Sequence, residues 1–287
     1  MTELDEHTIT AEVLERLEGT QDPRLQEICA SLVRHLHDFA REVELTPEEW
    51  MAGIEFLTRV GHMCTPNRQE FVLLSDTLGV SMLVDMLAHR DGEEVTESTI
   101  LGPFYVEDAP LLPPGSDLAD GTPGRPLLVE GTVQSDQGEP LAGATVETWQ
   151  SDAEGYYDVQ VGDELKLRGR FTTDEAGQYT FWTIVPSHYP IPDDGPVGDM
   201  LRAQGRHPNR PAHIHFKVTH PHHRELVTHL FVDGDPYLDS DAVFGVRRSL
   251  IQTLEDRTGA PDDERPDEYA FLSYDFVLAA GERPAGG

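Results

Sequence analysis

His213 and His215 stand two residues apart inside the run Arg210-Pro211-Ala212-His213-Ile214-His215-Phe216-Lys217-Val218. The run is rich in β-branched and aromatic residues and reads as a strand. Alternate residues of a strand share a face. Both imidazoles therefore project together, while Ile214 and Phe216 point the other way. Neutral imidazole is the commonest protein ligand for transition metals, so the pair suits two adjacent positions on one ion. Arg210 sets a fixed positive charge beside it. The competing reading is a half-exposed strand in a chain with 13 histidines, and the pair alone leaves both readings open.

The elements around the pair are short. Runs at 127–133, 144–149, 169–173, 178–184, 213–219, 226–232 and 271–278 alternate with Gly- and Asp-rich turns. That pattern predicts an antiparallel β-sandwich or barrel. Two long inserts, 185–212 and 233–270, are expected to carry function on loops. Residues 1 to about 90 read instead as helical, with Leu25, Ile28, Leu32 and Leu36 at helical spacing. Thr46-Pro47-Glu48-Glu49 is a helix start with a capping box. Ile54, Leu57 and Val60 follow as an expected buried stripe. Gly79 is expected to loosen one long helix that continues through 80–87. The apolar faces need partners: each other, a second domain or a second subunit. A Pro-, Gly- and Asp-rich connector spans 91–126.

Length and charge exclude some functions. The chain has 287 residues, enough for one sizeable core and an accessory domain. Its 53 acidic residues against 21 basic give a net charge of −32. Such a field repels phosphate backbones and anionic surfaces, so no nucleic-acid partner is expected. No apolar run reaches membrane-spanning length, and the acidic N-terminus lacks the apolar core of a signal peptide. A cytoplasmic location is expected. Cys29 and Cys64 read as small buried apolar residues rather than a disulfide.

Two tyrosine-bearing turns complete the pattern. One is Trp149-Gln150-Ser151-Asp152-Ala153-Glu154-Gly155-Tyr156-Tyr157-Asp158, and the other runs from Ile184 through Tyr189 to Pro192. With the histidine strand and the LGPFYV connector they resemble, in order and spacing, the intradiol ring-cleaving dioxygenases. That resemblance covers nearly the whole chain. It implies one iron(III) per subunit, held by Tyr157, Tyr189, His213 and His215, with Tyr157 rather than Tyr156 in the ligand position. It implies that the metal activates a catechol-type diol rather than dioxygen. Tyr189 would leave the metal and take a substrate proton, and Arg210 would stabilise charge on the substrate. Zinc is the competing metal for a histidine pair, but no cysteine or carboxylate at zinc-site spacing accompanies this one.

The segments around His229 and 239–246, with Leu73 and Asp76 three residues apart on a helix, resemble the hydroxyquinol-cleaving branch. This implies a pocket of Leu73, Asp76, Ile100, Pro103, Ile191, Pro192, Arg210 and Val243, with Asp76 accepting from the extra ring hydroxyl. The implied product is 3-hydroxy-cis,cis-muconate, which tautomerises to maleylacetate. His229 would lie just outside the ligand set, orienting a ligand or supporting an intermediate. Catechol or chlorocatechol cleavage is the near alternative. A non-catalytic sandwich that binds a lipid or partner is the remote one. The resemblance divides the chain into an N-terminal helical linker and dimerisation domain with connector, 1–110, and a β-sandwich iron-binding catalytic domain, 111–287. It further implies a homodimer through the N-terminal helices and a phospholipid held between them.

Overall fold

The helical and strand periodicities occupy different stretches, and the elements follow them. The computed structural model describes residues 4–65, 68–90, 94–162, 164–259 and 265–281. The chain divides into two compact units, Met1–Arg59 and Val60–Gly287.

Helices α1 (Ile9–Leu17), α2 (Pro23–Glu42) and α3 (Pro47–Met63) come first. The capping box at α3 is as expected. The Thr46 amide donates to Glu49 Oε2 at 2.9 Å, and the Glu49 amide donates to Thr46 Oγ1 at 3.2 Å. The expected buried stripe is not: Val60 is buried, while Ile54 and Leu57 are exposed. Leu25, Ile28, Leu32, Leu36 and Phe39 of α2 are likewise exposed. Cys29 and Cys64 are free and half-buried.

Gly79 does more than loosen a helix. It adopts φ +73°, a left-handed conformation that carries no Cβ penalty in glycine. The chain breaks there into α4 (Glu70–Thr77) and α5 (Val80–Ala88), bent by 78°.

Two five-stranded sheets form the sandwich. The first holds β1 (Pro126–Ser135), β4 (Gln178–Ile184), β10 (Glu255–Thr258), β11 (Glu268–Ser273) and β12 (Phe276–Leu278). The second runs β3-β2-β7-β8-β9, built from β2 (Thr145–Gln150), β3 (Arg168–Thr172), β7 (His213–Thr219), β8 (Leu226–Val232) and β9 (Ile251–Gln252). Pairing is mostly antiparallel; β1 with β11 and β12, and β8 with β9, are parallel. Leu127, Val129 and Phe181 of the first sheet share one core with Val146, Ile214 and Phe216 of the second. Burying each large apolar side chain stabilises by about 1.5–3 kcal/mol, and this interleaving fixes the register of β7.

The inserts are not structureless. The first holds β5 (Tyr189–Pro190), α7 (Pro196–Ala203) and β6 (Asn209–Arg210), with Tyr189 paired to Arg210. The Pro/Asp-rich composition hides α7. Its start is served from elsewhere: Glu70, fully buried on α4, accepts the Val197 amide at 3.2 Å.

Candidate active site

Alternation along β7 decides the geometry. Ile214 and Phe216 enter the core, so His213 and His215 leave it on the opposite face, and both are buried there. Neighbouring strands extend the row, because Trp149 of β2 and His229 of β8 pair in register with His215. The Trp149 ring stacks on His215 at 4.7 Å. Gly102 of the connector lies against the same imidazole, where an added Cβ would meet His215 Cε1 at 3.1 Å.

The two tyrosines arrive from loops. Tyr157 caps the short helix α6 (Asp158–Val161) and is fully buried, while Tyr156 beside it points outward. Phe104 stacks on Tyr157 at 4.3 Å. Asp158 and Arg168 form a buried ion pair, Nε to Oδ2 2.5 Å, and Arg168 Nη1 donates to the Phe104 carbonyl at 3.2 Å. Removing one partner of such a pair leaves an uncompensated buried charge, at a cost of about 3–5 kcal/mol. The pair ties the turn that presents Tyr157 to β3 and, through the Phe104 carbonyl, to the connector. Tyr189 enters on β5, its ring 5.1 Å from that of Tyr157.

The polar atoms converge. Tyr157 Oη lies 2.9 Å from His215 Nε2, and His213 Nε2 lies 3.1 Å from His215 Nε2. His213 Nδ1–H donates to the Pro211 carbonyl at 2.7 Å, which turns the Nε2 lone pair into the cluster. Burial, then the Arg210 charge, holds His213 well below the ordinary imidazole value. Burial, then the neighbouring histidine, does the same for His215 and His229. Burial, then Tyr189, pushes the Tyr157 phenol well above its ordinary value. Neutral imidazoles with inward lone pairs are what a metal ion requires. The potential ligand atoms of His213, His215 and His229 lie within 4.8 Å of one another, and the group could hold one.

Arg210 is the hub. Its Nη1 lies 3.3 Å from His213 Nε2 and 3.5 Å from Tyr189 Oη; its Nη2 lies 3.4 Å from His229 Nδ1. Burial opposes its charge, but Asp241 holds the guanidinium above even its ordinary value. Asp241 accepts from Arg210 Nε at 3.2 Å and is itself fixed by the Gly245 amide at 2.9 Å. Asp241 went unassigned in the sequence, where one aspartate among several in a polar loop carries no distinguishing signal. Trp149, Phe104 and the Asp158–Arg168 pair were also missed, because their roles depend on contacts distant in sequence.

The expected pocket residues come from four segments. Leu73 and Asp76 are buried on α4, and Ile191 and Val243 are buried on their loops. Ile100 and Pro192 are half-buried, and Pro103 is exposed. Burial raises the Asp76 carboxyl above its ordinary value, the Ser81 hydroxyl and Arg210 pull it down, and Asp241 pushes it up. The Arg210 and Asp241 effects place Asp76 within electrostatic reach of the hub.

Comparison with known proteins accords with this arrangement. Residues 100–280 match the family described as "Dioxygenase", and residues 22–96 the one described as "Catechol dioxygenase N terminus". The chain is 52% identical to the 6-chlorohydroxyquinol 1,2-dioxygenase of Cupriavidus pinatubonensis, over 97% of this chain and 99% of that one. It is 48% identical to the hydroxyquinol 1,2-dioxygenase of a Rhizobium species, over 93% of each. The crystal structure of hydroxyquinol 1,2-dioxygenase from Pseudomonas putida DLL-E4 superposes with a TM-score of 0.90 at 48% identity, covering 96% of this chain and 98% of that one.

Proposed function

The chain belongs to the intradiol ring-cleavage dioxygenase family, and on that premise we propose that it opens hydroxyquinol between its adjacent oxygenated carbons. One dioxygen is consumed, both its atoms enter the product, and 3-hydroxy-cis,cis-muconate forms and tautomerises to maleylacetate. Family membership displaces the reading as a non-catalytic binding module. The observation that carries the proposal is the convergence of two phenols, two neutral imidazoles and one buried guanidinium in a single site.

We assign one iron(III) per subunit to Tyr157, Tyr189, His213 and His215. Hard phenolate oxygens suit a highly charged ion, and two phenolates with two neutral imidazoles leave net charge near +1. Among the described residues, no cysteine joins the cluster to favour zinc. Bound iron(III) supplies Lewis acidity toward the diol oxygens and accepts electron density from the ring. Tyr189 takes a substrate hydroxyl proton at Oη, and Arg210 beside it offsets the anionic charge gathered on the substrate. His229 supports Arg210 through Nδ1 instead of binding metal. Phe104 and Trp149 exclude water from the ligand faces.

Asp76 accepts from the third ring hydroxyl. Leu73, Ile100, Pro103, Ile191, Pro192 and Val243 form the apolar walls. A buried acceptor left unpaired by catechol is a physical basis for preferring hydroxyquinol. With the domain division at 110/111, the pocket is a joint product, since Leu73, Asp76, Ile100 and Pro103 precede it. The exposed α2 face is the proposed homodimer surface and the proposed phospholipid site. Among the described residues no single helix is long and apolar enough to cross a membrane; a cytoplasmic location is part of the proposal.

Purified protein tests the assignment. Iron-loaded enzyme is expected to be red-brown from tyrosinate-to-iron charge transfer, and to turn over hydroxyquinol faster than catechol or 4-chlorocatechol. Faster turnover of catechol would favour a catechol 1,2-dioxygenase, and a colourless protein that stays inactive after iron reconstitution would sink the ligand set.

A further inference from the structure

Helix α7 ends in a Schellman turn. The Arg206 amide donates to the Leu201 carbonyl at 2.9 Å and the Gly205 amide to the Arg202 carbonyl at 3.1 Å, with Gly205 at φ +67°. This turn fixes the backbone of Arg206 and sends its side chain across two walls of the pocket. Arg206 Nη1 donates to the Thr77 carbonyl at 2.8 Å, one residue after Asp76. Its Nη2 donates to the Ala242 carbonyl at 3.0 Å, between Asp241 and Val243. The guanidinium lies 5.0 Å from the centre of the Phe244 ring. Phe244 holds φ +59°, a conformation uncommon outside glycine, and packs where a Cβ on Gly79 would meet it at 3.4 Å.

The other end of α4 is tied to the same helix. Glu70 caps the start of α7 through the Val197 amide, and Arg68 pairs with both Glu70 and Asp194. Helix α7 is thus a strut fastened to α4 at both ends, and Arg206 closes the end nearest Asp76.

We propose that Arg206 is a specificity-positioning residue, whose fork across the Thr77 and Ala242 carbonyls holds Asp76 at the distance from Arg210 that the extra hydroxyl of the substrate requires. The inference rests on the reading of Asp76 as the acceptor for that hydroxyl. A planar guanidinium can donate to two carbonyls at once and stack on a ring; an ammonium lacks that fixed fork. The acceptor itself reaches only one part of hydroxyquinol. A shift of α4 therefore weakens recognition of the third hydroxyl while leaving the diol contacts in place.

The test compares kcat and KM for hydroxyquinol and catechol in iron-loaded wild type, Arg206→Met, Arg206→Lys, Asp76→Asn and the double variant Asp76→Asn/Arg206→Met. Anaerobic calorimetry of both substrates gives binding directly. Arg206→Met is expected to lower kcat/KM for hydroxyquinol about tenfold, mainly through KM, with catechol changed less than about twofold. Arg206→Lys is expected to recover part of the preference. In the Asp76→Asn background, Arg206→Met is expected to leave the substrate ratio where it stands, because both act through one carboxylate. An equal fall for both substrates, or additive effects on the ratio, would overturn the proposal. If Asp76→Asn leaves the preference intact, the reading of Asp76 and this inference fall together. If Asp76→Asn abolishes it and Arg206→Met does not, only this inference falls. Should Arg206→Met fail to fold, Arg206→Lys and Phe244→Ala carry the test: a reduced preference in both supports the proposal, and an unchanged one in both overturns it.

Discussion

The site has two sides built by different means. The histidine side stands on β7, with its neighbours in register on β2 and β8, and its rings are clasped by Trp149 and Gly102. The proposed substrate side is assembled from α4, the connector, the Ile191–Pro192 segment and the 241–245 loop, and the Arg206 fork joins α4 to that loop through two backbone carbonyls. A strand fixes its side chains by alternation, at no cost beyond forming the sheet. A wall of separate segments holds position only as well as its cross-links do. On the proposed assignment, the difference puts the chemistry on the rigid side and the choice of substrate on the adjustable one, a division that suits a family acting on several diols.

The sharpest way to break this comparison is at the rigid side. Tyr157→Phe or His213→Ala is expected to remove bound iron, the visible absorption and activity, lowering turnover more than about 1000-fold for every diol. Metal analysis with the absorption spectrum checks this; retained iron and turnover would disprove the ligand assignment. A smaller effect is expected where the sides meet. Asp241→Asn removes the carboxylate that anchors Arg210, and kcat is expected to fall about 10- to 100-fold with hydroxyquinol and catechol alike, with iron content kept. A loss confined to hydroxyquinol would move Asp241 to the specificity side.

The smallest effect on turnover belongs to the adjustable side, and it has an opposite sign in stability. Burial raises the Asp76 carboxyl in the folded protein, so the folded state binds that proton more tightly than the unfolded chain. Stability contributed by this group is then lost as pH rises from the ordinary carboxylate range through the raised value. Asp76→Asn is expected to reduce the preference for hydroxyquinol and yet raise Tm at neutral pH. The gain should fade below the ordinary carboxylate range, where Asp76 is protonated in both states. Thermal melts across pH read it directly, and a lower Tm at neutral pH would show that the ionised carboxylate is stabilising.

The rigid side was legible because its signals are local. His213 and His215 reveal their shared face through period two, whereas Tyr157 and Tyr189 were singled out only by the resemblance of their turns to the family's motifs. The capping box at Thr46 is local in the same way. The long helix expected through Gly79 failed because the glycine's left-handed backbone bends the chain by 78°, and periodicity does not report a bend. Helix α7 escaped notice because Glu70, well over a hundred residues earlier in the chain, supplies its cap.

By itself the sequence determined most of the sandwich strands and the histidine face, which depend on residues within a few positions of one another, and, through the order and spacing of several such motifs, the family resemblance; β9 and β10, inside the 233–270 insert, were not among them. Only the tertiary structure decided that Asp241 anchors Arg210, that Trp149 and Phe104 stack on His215 and Tyr157, and that Arg206 fastens α4 to the loop beside Asp241. Those contacts join residues from 31 (Arg210 and Asp241) to 129 (Arg206 and Thr77) positions apart. The contacts exist because burial brings the segments together and unpaired buried polar groups are too costly to leave, and neither condition is visible before the chain has folded.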